Sequence, residues 1–253
     1  YTVLYHNTAI RSGFNAPNAL ASGERNSMQA IMETTFDILY LTTVLTFGIL
    51  MIVRGRKVKQ YLLFGVMAVV LGAGDAFHLV PRAYALNTLG LAAFTGPLGI
   101  GKLITSVTMT VFYVLLYHVW LARYGKTGHT GLTIAVYSLA ILHVALCLFP
   151  QNAWTSANPP LQWGIARNLP FAALGLVMIV LFYRSAKAAG DRAFRWMWLT
   201  IALSFAFYAP VVLFAQRVPA IGMLMIPKTC AYVWTVLIGY REMRRYPQGV
   251  TES

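Results

Sequence analysis

Residues 31–59 read IMETTFDILYLTTVLTFGILMIVRGRKVK, an apolar run from Ile31 to Val53 closed by Arg54, Gly55, Arg56, Lys57, Val58 and Lys59, four positive charges in six residues. A helix rising about 1.5 Å per residue needs roughly 20 apolar residues to cross a hydrocarbon core about 30 Å thick. The run has that length, and a dense basic cluster at its end marks a cytoplasmic turn.

The same pattern repeats along the chain. Apolar runs at 61–80, 98–122, 132–149, 167–183, 196–215 and 221–240 add six spans, so the expected fold is an all-α integral membrane protein with a seven-helix transmembrane bundle over 31–240. The second run ends at Pro81, the fourth at Pro150, and the fifth, short from Leu169 to Tyr183, borrows a turn from the residues before it. Connections one, three and five and the C-terminal tail carry four, two, four and three Lys or Arg, whereas the other side carries Arg82, Arg167 and Arg217 singly. This bias predicts an N-terminus outside and a C-terminus in the cytoplasm. Residues 1–30 then form an extracytoplasmic segment without the continuous apolar stretch of a secretory signal, and 241–253 form a short basic cytoplasmic tail.

Composition agrees. Of 253 residues, 58% are hydrophobic and 11% charged, where a soluble domain carries roughly a quarter charged. The net charge of +13 sits in clusters between apolar runs, which excludes a nucleic-acid surface and points to the lipid bilayer of the plasma membrane as the partner. Cys147 and Cys230 both fall in spans and are expected as free buried thiols.

Ionisable side chains inside a bilayer cost several kcal/mol, so they are paired, snorkelling, facing water or functional. The first span carries Glu33 and Asp37 four residues apart, the second Asp75 and His78 with Arg82 one turn further, the third Lys102, the fourth His143 and the seventh Lys228. From the helical rise, Lys228 lies roughly 10 Å, Asp37 roughly 9 Å, Asp75 roughly 8 Å and Lys102 roughly 6 Å below the outer ends of their spans. The inner parts hold no Asp, Glu, Lys or Arg, and His118 near the cytoplasmic end is their ionisable ring.

Two readings compete for this layer. In the structural one, Glu33, Asp37 and Asp75 neutralise Lys102, Lys228 and Arg82 in an ion-pair network, with Glu33 and Arg82 reaching the outer headgroups. In the functional one, Asp37, Asp75, His78, Lys102, Tyr208 and Lys228 surround a polar or ionic ligand that enters from outside. His143 fits a backbone hydrogen bond better than a ligand role. Pro210 and Pro227 are expected to kink the sixth and seventh spans at the level of the charges, opening an outward cavity. Ser106, Tyr113 and Tyr117 below Lys102, and Tyr232 and Thr235 below Lys228, have the spacing of either a cavity lining or a packed helix face.

The layer is read as the pocket of a receptor-like or small-ligand-binding protein rather than an enzyme, with no catalytic residue, metal ligand or cofactor assigned. The tail is short, so any signal needs a separate cytoplasmic partner. A proton-coupled or small-solute transporter is the alternative, with Thr42, Thr46, Thr108 and Thr200 as path-lining residues. GILMIV from Gly48 and GLVMIV from Gly175, with Lys102 and Lys228 at comparable places, would suit a three-plus-one-plus-three repeat.

Two further classes enter by resemblance. Lys228 followed by Thr229 in the seventh span, with aromatic residues around Pro210, resembles the Schiff-base lysine of rhodopsins, which implies retinal with Asp75 or Asp37 as counterion. Leu224 stands where microbial rhodopsins carry an Asp, no third-span carboxylate is present, and the asparagine-proline motif of the animal branch is absent. The layout also resembles seven-helix ceramidase-like metal hydrolases, with Asp75, His78 and one of Glu33, Asp37 or His143 as ligands. The last span lacks the histidine pair of that family.

Overall fold

The computed structural model describes residues 16–126 and 129–245, with side chains from Met28 onward except Pro219. Residues 1–15 of the segment 1–30 and 246–253 of the tail 241–253 lie outside the described residues. Seven helices run in chain order: α1 (Ala16–Gly55), α2 (Lys59–Leu86), α3 (Thr95–Tyr124), α4 (Thr130–Leu148), α5 (Leu161–Ala188), α6 (Met197–Phe214) and α7 (Met225–Arg245). Short 3₁₀ helices occupy Leu91–Phe94, Pro150–Asn152 and Pro219–Leu224, and there is no strand among the described residues. All seven helices are long and apolar enough to cross a membrane. Ile38, Leu39, Ile49 and Val53 of α1, Ile134 and Ile141 of α4 and Leu176 of α5 are exposed on the outside, apolar surface of the kind a membrane-crossing helix presents.

Each helix packs on the next, α1 closes the ring on α7, and α3 reaches across it to α5. Tyr113, Tyr117, Phe64, Phe112, Phe182 and Phe194 fill the middle with no accessible surface beyond 1%. The tightest seam joins α2 and α3. Gly74 faces the Thr108 side chain so closely that a β-carbon would overlap it, and Thr105 Oγ1 donates to the Gly74 carbonyl at 3.1 Å. One turn on, Gly101 lies against the carbonyl of Phe77. That carbonyl is the one whose helical donor is lost at Pro81, so glycine on α3 lets the neighbouring backbone cover the freed oxygen.

Several boundaries differ from the sequence expectation. Pro81 lies inside α2, which continues to Leu86 because the seam supports it past the missing bond. α5 starts at Leu161, where Pro160 supplies an extended entry, so much of the expected loop is helix. α1 begins at Ala16, well before Ile31. Pro227 is the third residue of α7, which is entered from a 3₁₀ helix rather than kinked midway. A proline in the first turn loses no helical hydrogen bond. Pro210 does sit inside α6. Cys147 is buried, but Cys230 faces outward from α7.

The two similar hexapeptides occupy matching environments. In 48–53 and in 175–180 the first and fourth residues are buried and the second and sixth exposed. Gly48 approaches Val69 of α2, and Gly175 approaches Phe205 of α6. Each triplet also enters its third helix through a 3₁₀ turn ahead of Lys102 or Lys228.

Candidate functional site

The helices bring the singled-out charges to one end of the bundle. Glu33 of α1 and Arg82 of α2 form a salt bridge, with Arg82 Nη2 2.8 Å and Nε 3.1 Å from Glu33 Oε2. Asp75 does not go to a cation. It accepts a hydrogen bond from the hydroxyl of Tyr40 on α1 at 2.5 Å. Asp37 lies one turn from Tyr40 on the same helix and accepts no hydrogen bond among the described residues.

Lys228 is 8% exposed on α7. Its ammonium stands 4.5 Å from the ring centre of Tyr208 and 5.4 Å from that of Tyr232. Aromatic faces attract a cation, but weakly compared with a carboxylate at contact. Among the described residues no carboxylate lies within 4.0 Å of it, and it makes no hydrogen bond. Asp75 is near enough for its field to reach Lys228 but does not touch it. Yet the ammonium is not sealed. Among the described residues the fully buried side-chain nitrogen or oxygen without a partner is Gln60 Nε2, so Lys228 Nζ keeps a small accessible surface.

Below Lys228 the bundle is filled. Tyr113 and Ser204 hydroxyls are 3.4 Å apart, Thr235 donates to Thr200 at 2.7 Å, and Tyr117 meets Thr133 at 2.7 Å. Tyr113 and Phe171 meet edge to face and both are tilted against Phe205, with centroids 5.2–5.6 Å apart. The stripe beneath the lysines is therefore packed helix face. Thr42 and Thr46 are exposed on the outside of α1, and Thr108 bonds carbonyls of its own helix, so none of these three lines a path.

His78 donates through Nδ1 to the Leu98 carbonyl at 3.3 Å. A carbonyl oxygen can only accept, so Nδ1 carries the proton. His143 is similarly committed: Nδ1 donates to the Arg167 carbonyl at 2.6 Å, its ring stacks on Phe171 at 4.9 Å, and Cys147 Sγ lies 3.5 Å from Nε2. Among the described residues no group of three or more His, Cys, Asp or Glu is placed to hold a metal ion.

Sequence reasoning passed over Arg167, counting it as a single loop charge. In α5 its guanidinium lies over Trp154, 4.1 Å from the ring centre, and Nη1 donates to Asn152 Oδ1 at 2.8 Å. Asn152 is itself fixed by three backbone carbonyls, those of Leu146, Cys147 and Phe149. Lys102, exposed on α3, lies within electrostatic reach of Arg82 and Arg167, both positive. Neither Lys102 nor Arg167 has a carboxylate within 4.0 Å among the described residues.

The opposite end is built differently. Arg123 of α3 grips Asp191, between α5 and α6, through Nε at 2.9 Å and Nη2 at 3.0 Å, and reaches Glu242 of α7 through Nη1 at 2.8 Å. Tyr124 donates to Asp191 at 3.2 Å, and Asp191 Oδ1 caps the amides of Ala193 and Phe194. Burial works most strongly against the Asp191 carboxylate, but the hydrogen bonds from Arg123, the Phe194 amide and Tyr124, together with the Arg123 charge, outweigh it and hold its pKa below the usual carboxylate range. An open cleft of about 480 Å³ lies beside this triad. Arg123, Asp191 and Glu242 satisfy one another in its wall, while Arg192 and Arg245 line it without a carboxylate within 4.0 Å among the described residues.

No family model, curated protein or solved structure matches the chain.

Proposed function

We propose that the chain is a multi-pass plasma-membrane protein, N-terminus outside, that binds a small polar or ionic ligand from the outer side in the layer around Asp75 and Lys228. One observation carries this reading: Lys228 is nine-tenths buried and has neither hydrogen bond nor ion pair among the described residues, while Asp75, within its electrostatic reach, is held by Tyr40 instead. A buried charge without a partner costs several kcal/mol. A bound ligand supplies the missing partner, and the packed aromatic layer below favours binding at one face over passage. A cytoplasmic partner would read the occupied state from the Arg123 end.

The purified chain in neutral detergent, screened by thermal unfolding against charged, zwitterionic and neutral small molecules, tests this. The expected result is a compound that raises the unfolding midpoint of the native chain and not of Lys228→Ala. A flat response across the panel, or one unchanged by the substitution, overturns it.

Transport is the second reading, favoured by the matched environments of 48–53 and 175–180 in the two helix triplets. Repeated units of this kind act as moving halves in small transporters. Uptake of a stabilising compound into proteoliposomes, lost in Lys228→Ala, would establish it.

A further inference from the structure

The acids of the Lys228 end are unevenly distributed. Glu33 and Asp37 are on α1 and Asp75 is on α2, whereas α3, α5 and α7 bring Lys102, Arg167 and Lys228 to the same end with no Asp or Glu of their own there. Glu33 is taken by Arg82 and Asp75 by Tyr40. The α3–α5–α7 sector is left with three cations that lack a carboxylate contact among the described residues.

These cations share one end of the bundle. Lys102 lies within electrostatic reach of Arg167. Tyr208 ties Lys228 to the same stretch of α5: its ring faces the Lys228 ammonium, and its hydroxyl donates to Oδ1 of Asn168, the residue after Arg167, at 3.2 Å. Arg167 is held ready by Trp154 and Asn152, with Nε and Nη2 left without protein acceptors and not sealed from accessible space. Lys102 and Arg167, like charges within reach of each other, raise one another's cost, and an anion that pairs with both relieves it. A planar guanidinium fork matches two oxygens of a carboxylate or phosphate.

We infer that the ligand of this site is a small anion with two or more negative charges, carried on carboxylate or phosphate groups, bridging Lys228 and the Lys102–Arg167 pair. This rests on the binding reading above and adds the charge and chemistry of the ligand. The same phosphate chemistry can come from a soluble anion or from an anionic lipid headgroup, and the test separates the two.

The full chain in neutral detergent is titrated calorimetrically at fixed ionic strength with chloride, acetate, succinate, citrate and inorganic phosphate. At least one of succinate, citrate and phosphate is expected to bind tenfold or more tightly than acetate. Lys102→Gln and Arg167→Gln should each weaken it at least tenfold, Arg167→Lys should weaken it less than Arg167→Gln, and Lys228→Met should abolish it. Unfolding midpoints without ligand identify any variant that fails to fold; if Arg167→Gln does, Arg167→Lys against Lys102→Gln decides. In nanodiscs, cardiolipin, whose two phosphodiesters together carry two negative charges, assigns the site to a headgroup if it blocks the soluble anion, and indifference to that lipid assigns it to the soluble ion. Multivalent anions no better than chloride, or binding untouched by both Gln variants, overturn the inference. A neutral or cationic compound that depends on Lys228 and not on Lys102 or Arg167 overturns it too, while leaving the binding reading standing.

Discussion

At one end of the bundle Arg123 meets Asp191 and Glu242 at 2.8–3.0 Å, and Asp191 also takes a tyrosine hydroxyl and two amides. At the other, Lys228, Lys102 and Arg167 have no carboxylate contact among the described residues, although Asp75 stands near the first. Both ends present charge to a low-dielectric interior, and the same cost is met in two ways. In the first the chain satisfies itself, tying α3, the α5–α6 connection and α7 together. In the second it withholds satisfaction, which is what a binding site must do if its ligand is to gain anything by arriving.

Breaking the satisfied end should have the largest effect. Arg123→Ala leaves two acids, 7% and 14% exposed, without their cation. Removing one member of such a set typically costs about 3–5 kcal/mol. A marked drop in the thermal unfolding midpoint in detergent is expected, and an unchanged midpoint would refute the latch. The α2–α3 seam comes next. Gly101→Ala drives a β-carbon into the Phe77 carbonyl, a backbone atom that cannot swing aside, and overpacking of this kind costs about 1–3 kcal/mol.

The unsatisfied end should respond with the opposite sign. Lys228→Met removes an uncompensated buried charge and keeps most of the side-chain volume, so it should raise stability by about 1–2 kcal/mol while abolishing ligand binding. A destabilised Lys228→Met would mean that the lysine already has its partner, and the contrast between the ends would collapse.

Acid should also separate the two. Asp191 titrates at a lower pH in the folded chain than in the unfolded one. Its contribution is therefore present above the usual carboxylate value of 3.8 and fades as the pH falls through the lowered folded value. Below that usual value the unfolding midpoint of the native chain should fall, and Asp191→Asn, already less stable at neutral pH, should lose less over the same range.

Seven apolar runs and the pile-up of charge near one end were readable because each depends on local chain composition. What escaped notice depends on which helix faces meet. Tyr40 and Asp75 are 35 residues apart, and nothing along the chain marks a tyrosine among apolar neighbours as the holder of that acid. Arg167 looked like one loop charge because α5 was expected to begin near it rather than at Leu161. The Arg123 triad left a fainter signal: Asp191 and Glu242 are acids set among clustered basic residues, the wrong sign for a topology marker and the right sign for a partner. Pro227 misled in the other direction, since its effect depends on where α7 begins, and boundaries are the least legible part of a helix.

The Glu33–Arg82 pair supplies the smallest and most discriminating test. It belongs to the Lys228 end by position but to the Arg123 end by chemistry, because the two side chains do meet, at 2.8 Å. Arg82 keeps 32% of its side-chain surface exposed and Glu33 16%, so solvent screens the attraction and the pair is worth about 1 kcal/mol or less. Glu33→Gln should therefore change stability slightly. If the site takes an anion, the freed Arg82 adds a positive charge beside Lys102, and anion affinity should rise modestly. If the Lys228 end takes a cation instead, losing Glu33 should weaken that ligand, so the sign of this small change reports the charge the site is built to meet.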